Sequence, residues 1–256
     1  IMSKLAILGT KFSQNLLADE SSWYLTLSSN DLNGLPEFLI DSLSKNSDEQ
    51  NVDGYVMTLS RSTVVPFLQF SSHRHLRRKV YEAWVSRGNN EGDTNNLAIV
   101  LETLELRKER SQILGYDNFS NFKLETEMAK TPENVKELLM SVWKPAKLKA
   151  ENDSKQLQNL LSNDGVNDAL QPWDWRYYSE KRRLNNFNIN EVEIQNHLQL
   201  NKIIEAAFYC AKRLFNLDFT SIELSLYHPD ARAWEVKRDG EHMAIFIGDY
   251  YARSSK

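Results

Sequence analysis

Apolar positions recur at helical spacing almost from the first residue. Leu5, Leu8, Phe12 and Leu16 share one face and predict an amphipathic helix. Two short β-prone runs, "WYLTL" and "GYVMTL", predict strands near 23–27 and 55–59, flanking a small helix that opens near Pro36. From about Phe67 the helical period takes over. Leu76, Val80 and Trp84 mark one helix closed by Gly88, and the polar stretch "NNEGDTNN" leads into another carrying Leu97, Val100, Leu101 and Leu104. Thr131 and Pro132 supply a side-chain cap and a pre-set first turn for a longer helix. Its stripe runs through Val135, Leu138, Leu139, Val142 and Trp143, meets an expected kink at Pro145, and resumes at Leu157, Leu160 and Leu161.

The pattern changes near the end. Ile203, Ile204, Ala207, Phe208, Ala211, Leu214 and Phe215 give a last helix one broad apolar face. Three strand-like runs follow, "SIELSLYH", "AWEVKRDGEH" and "MAIFIGDYY", with Asp239-Gly240 as a hairpin turn. These elements predict a mainly α fold with short strands near 23–27 and 55–59 and a small sheet at 222–251. No repeat or linker divides the chain, so residues 1–256 are expected to belong to a single larger domain. The opening helix has no capping signal, and the last strand has no following element. Both ends therefore read as severed from something longer.

Composition sharpens the picture only slightly. A hydrophobic share of 41% and a charged share of 26% over 256 residues suit a globular protein with a full-sized core. Nine glycines and six prolines are too few for a turn-rich β-sandwich. A net charge of -4 gives no electrostatic case for nucleic acid or an anionic membrane as partner. No apolar run approaches the ~20 residues of a membrane span. Cys210 is the one cysteine, which rules out an internal disulfide and a cysteine-based metal cluster. Set in "AAFYCAKRLF", it reads as a packed core thiol in a reducing, cytoplasmic setting.

Candidate chemistry is sparse. On a helix, His73 and His75 would point about 200° apart and could not share a metal, whereas on an extended segment they would share a face; with three arginines and a lysine around them, "SSHRHLRR" reads as a solvated basic helix start. His228, before Pro229, reads as a turn leaving a strand, and His197 and His242 lack a partner at ligand spacing. No His-Glu-x-x-His, Gly-rich phosphate loop or Gly-x-Ser-x-Gly occurs. "PWDWRYYSEKRR" concentrates Trp173, Trp175, Tyr177 and Tyr178; such rings can line a peptide groove, but a buried helix start is the favoured reading. On residues alone, the chain is a helical scaffold with no catalytic or metal residues of its own.

Several strings, in order, carry a resemblance: "LGTKFSQNLL", "TLSRSTVVPFLQFSS", "LRRKVYEAWVSRG", "LRKERSQILGYDNFSNFKLETEMAKTPENV", "PWDWRYYSEKRR", and "YHPDARAWEV" through "GDYYARSSK". Together they resemble the thimet-oligopeptidase-like (M3) zinc metallopeptidases, most closely the bacterial peptidyl-dipeptidase branch. The resemblance implies a two-lobed helical enzyme with a deep channel, hydrolysing short peptides and releasing C-terminal dipeptides. It also implies a zinc ion in the whole enzyme, held by a His-Glu-x-x-His helix and a later glutamate, with the motif's glutamate as general base. Family members carry that helix downstream of the segment matching "GDYYARSSK". This chain is therefore expected to bind no catalytic zinc and to be inactive alone. By the same resemblance, Gly248, Asp249, Tyr250, Tyr251 and Arg253 are candidate substrate-channel wall positions. Self-association through an exposed lobe interface is a further expectation. The rival reading is a non-catalytic helical module, derived from this scaffold, that binds peptides or a protein.

Overall fold

The stripe of Leu5, Leu8 and Phe12 finds its partner far along the chain. In the computed structural model, which describes residues 1–188, 194 and 197–251, helix α1 (Met2–Ser22) sets these side chains against Ile99 and Leu106 of α5 (Leu97–Ile113). Two compact units are distinguished, Ile1–Asn185 and Asn186–Lys256. The architecture is mainly α, as the periodicity predicts, with two small antiparallel sheets among the described residues.

In the first unit, β1 (Tyr24–Leu27) pairs antiparallel with β2 (Tyr55–Thr58), Tyr24 opposite Thr58 and Leu27 opposite Tyr55. Helix α2 (Glu37–Gln50) lies between them in sequence and ends on Asn51 in the left-handed conformation. Helices α3 (Arg61–Phe70) and α4 (Arg74–Val85) complete the main core, where Leu27, Leu39, Leu43, Met57, Phe67 and Val80 are buried together. Helix α3 starts six residues before the expected Phe67. The Ser60 hydroxyl accepts from the Ser62 amide at 3.3 Å and caps it, and the helix continues through Pro66.

Helix α6 (Phe119–Leu124) leads to α7 (Pro132–Asn163), capped by Thr131 as expected and helical through Pro145. Burial along α7 is uneven. Leu157 and Leu161 pack on Tyr178 of α8 (Trp175–Phe187), whereas Leu138, Leu139, Val142 and Trp143 stand exposed. The stripe is one continuous sequence feature, yet only its C-terminal part is covered by the first unit's own residues.

In the second unit, α9 (Leu200–Phe215) precedes β3 (Leu217–Ile222), β4 (Arg232–Arg238) and β5 (Glu241–Gly248), which form an antiparallel sheet in that order. Asp239 and Gly240 both take positive φ, 52° and 86°, and turn the β4–β5 hairpin as the Asp-Gly pair predicts. Phe208 of α9 stacks on Phe219 at 4.0 Å between ring centroids, and Trp234 and Phe246 close the aromatic cluster. The sheet therefore begins at Leu217, not near 222, and ends at Gly248. Residues 223–228 are not a strand, because the β4 partner residues run out: Ile222 pairs with Ala233, and a turn from His228 to Ala231 closes the gap. Cys210 is exposed, a correction to its expected burial, since the inner face of α9 is filled by Ile204 and Phe208 instead.

Candidate functional site

The candidate channel-wall positions follow the end of β5. Gly248 closes the strand opposite Arg232 and is buried. The Tyr250 ring folds back over it so closely that a Cβ built on Gly248 would lie 2.6 Å from Tyr250 Cε2. A side chain at this position would require the partly exposed Tyr250 ring to move aside. The Asp249 carboxylate accepts from the Tyr227 hydroxyl at 2.8 Å, tying the segment to the turn before β4. Tyr250 and Tyr251 remain 38% and 46% exposed, enough to meet a ligand. Gly248 to Tyr251 thus form one contiguous patch; Arg253 lies outside the described residues. Beside the patch, β5 is the last strand of its sheet, and Ile245 and Ile247 are half exposed along it.

A second concentration of polar chemistry lies in the first unit. Arg77 and Asp174 are fully buried and paired at 2.9 Å; Arg77 also donates to the carbonyls of Ser71 and Trp173, and its guanidinium lies over the Tyr177 ring. Arg74 bridges Asp174 at 2.9 Å and Asp168 at 2.8 Å. The Asp174 hydrogen bond, against the opposing effect of burial, raises the Arg74 pKa further, while Arg74 holds the Asp168 carboxyl below the ordinary range. This part of the basic run is consequently no solvated face. It locks α4 onto the start of α8, and with it Trp173, Tyr177 and Tyr178 of "PWDWRYYSEKRR" are drawn into packing. The helix start is buried only in part: Tyr178 is 2% exposed, whereas Trp175 is 38% exposed.

Asp19 plays a similar anchoring part. Its carboxylate accepts from the Gly88 amide at 2.7 Å and from Asn90 at 2.8 Å. Burial alone would raise its pKa, but hydrogen bonds from Thr94, Gly88 and Asn90 outweigh that and bring it below the ordinary carboxylate value. Its contribution to stability is therefore complete at neutral pH and is lost as the pH falls through the lowered value. Asp19→Ala is expected to cost about 1–3 kcal/mol at neutral pH, by leaving the loop's donors unpaired. In thermal unfolding followed from neutral to acid pH, the gap between wild type and variant should narrow on acidification. A pH-independent gap would contradict this account.

No three His, Cys, Asp or Glu side chains among the described residues converge on one point. His242 lies 3.1 Å from Glu235, but that carboxylate is also paired with Lys237. His228 approaches Asp230 at 3.6 Å, and its Nδ1 accepts from the Asp230 amide. His73 uses Nε2 on the Asn30 carbonyl. Such pairs do not match the three-ligand requirement of a catalytic zinc site.

Residues 67–256 match the model of peptidase family M3. The chain belongs to that family. Among curated relatives, this family M3 chain is 29% identical over 263 residues to oligopeptidase A of Escherichia coli, covering 100% of the chain and 39% of the relative. It is 29% identical over 261 residues to dipeptidyl carboxypeptidase of the same organism, covering 99% and 38%. It is 32% identical over 272 residues to the probable cytosolic oligopeptidase A of Arabidopsis thaliana, covering 100% and 38%. The family M3 chain thus spans about two fifths of the length of the curated relatives it matches. A peptidase scaffold is established by these matches.

Proposed function

We propose that this chain is part of a zinc metallopeptidase that hydrolyses oligopeptides and releases C-terminal dipeptides. The observation that carries the proposal is the family match over residues 67–256, joined to relatives that align with the whole chain. The dipeptide-releasing reading draws support from the relative named dipeptidyl carboxypeptidase. Residues 1–256 belong, in this reading, to one larger peptidase domain whose metal ligands lie outside these residues. The chain alone binds no catalytic zinc and cleaves nothing. Its substrates in the whole enzyme are short peptides, and a cytoplasmic setting is supported by the relative named cytosolic. No helix among the described residues is long and apolar enough to cross a membrane.

Gly248, Asp249, Tyr250, Tyr251 and Arg253 form the substrate-channel wall. The half-exposed tyrosines and the adjoining last strand support this, because a sheet edge can receive an extended peptide through main-chain hydrogen bonds. In the longer polypeptide, a peptide of about ten residues should lose dipeptides from its C-terminus, read by mass spectrometry. Tyr250→Ala should lower kcat/KM about tenfold, the scale of lost substrate positioning. Cleavage at internal bonds alone would refute dipeptide release, and an unchanged kcat/KM would remove Tyr250 from the wall. A coding sequence that stops after Lys256 would instead favour the non-catalytic peptide- or protein-binding module.

The exposed stripe of α7 supports self-association of the chain by itself. Light scattering should report species larger than the monomer, and Trp143→Glu should shift them toward monomer. A monomer across the accessible concentration range would contradict the proposal.

A further inference from the structure

A cleft of about 570 Å³ opens in the first unit between the end of α1, strand β1 and helix α4. Its size lies within the range of small-molecule sites, about 300–1,000 Å³. The floor is apolar and aromatic, built from Trp23, Leu25, Leu59 and Ala83. Leu59 belongs to the main core, and Trp23, Leu25 and Ala83 pack partly against it. The floor is therefore held in place before any ligand arrives.

The charges at the rim are not equivalent. Asp19 is committed to Gly88 and Asn90, and Glu82 to Arg78 at 2.7 Å. Lys79 also lines the cleft and is exposed, and among the described residues it joins no ion pair. An available ammonium thus stands beside a preformed apolar floor. The complementary ligand is an anion with an apolar body.

We propose that this cleft binds a small carboxylate bearing an aromatic or large apolar side chain. The carboxylate pairs with Lys79, and the side chain lies on Trp23, Leu25 and Ala83. A free acylated amino acid and the C-terminal residue of a short peptide share this chemistry. The lining uses none of the residues near β5, so the site is separate from the proposed channel wall.

The test titrates the ¹⁵N-labelled chain with N-acetyl-phenylalanine, with its C-terminal amide, and with an N-acetylated tetrapeptide ending in phenylalanine. The acid should shift the amide signals of Trp23, Tyr24 and Leu25 and bind about fivefold more tightly than the amide, the scale of an exposed ion pair. Lys79→Gln should erase the difference between acid and amide while leaving affinity for the amide unchanged. Tighter binding of the tetrapeptide assigns the ligand to peptide C-termini, and tighter binding of the acetylated amino acid assigns it to a free small molecule. Either result upholds the site. Absence of shifts at millimolar ligand would overturn the proposal, as would an acid preference that survives Lys79→Gln.

Discussion

Asp174→Ala should lower the stability of the first unit by about 3–5 kcal/mol, the cost of leaving a buried charge without its partner. Arg77 is 1% exposed, so removing Asp174 strands its guanidinium with only two carbonyls and an aromatic face. Arg74 would lose its buried carboxylate partner at the same time, though it keeps Asp168 at 2.8 Å and reaches solvent. Against a domain stability of about 5–15 kcal/mol, that loss should appear as a large fall in the midpoint of chemical denaturation. Arg74→Ala should cost much less than Arg77→Ala, because Arg74 is partly solvated and shares the work with another residue. Equal, small effects from all three substitutions would contradict the lock between α4 and α8.

Trp234→Ala should be the most damaging change in the second unit, at about 3–5 kcal/mol. The indole is 8% exposed and touches both Phe208 and Phe246, so its loss opens the aromatic cluster between α9 and the sheet. Among the described residues of this unit, few other side chains are buried: Ile204, Ala231, Ala233 and Val236. The unit therefore has little with which to compensate. Hydrogen exchange should show β3, β4 and β5 losing protection while β1, β2 and α2 keep theirs. Uniform loss across the chain, or none, would refute the assignment of this cluster as the unit's core.

Periodicity made most helices legible because their apolar stripes are buried by near neighbours or long-range partners of the same type. Leu76 and Val80 of α4, and Leu157 and Leu161 of α7, lie in cores where helical spacing places them. Burial itself was less readable. Leu138 and Leu157 carry the same sequence signal on one helix, yet only Leu157 meets a covering partner. Cys210 misleads for the same reason, since apolar neighbours in sequence do not guarantee a neighbour in space. The Arg77–Asp174 lock left no local trace: its members are 97 residues apart, and arginines in a basic run resemble a solvated face. The channel-wall patch was legible only through resemblance to a family. In physical terms its one local signature is Gly248, over which the Tyr250 ring two residues later folds closely.

The most direct test concerns the separation of scaffold from metal chemistry. The purified 256-residue chain should be incubated with zinc and a quenched fluorescent peptide, with and without a chelator. Turnover should not exceed that of a zinc-only blank, and equilibrium dialysis should find no tightly retained zinc. Robust, chelator-sensitive hydrolysis by this chain alone would contradict the account.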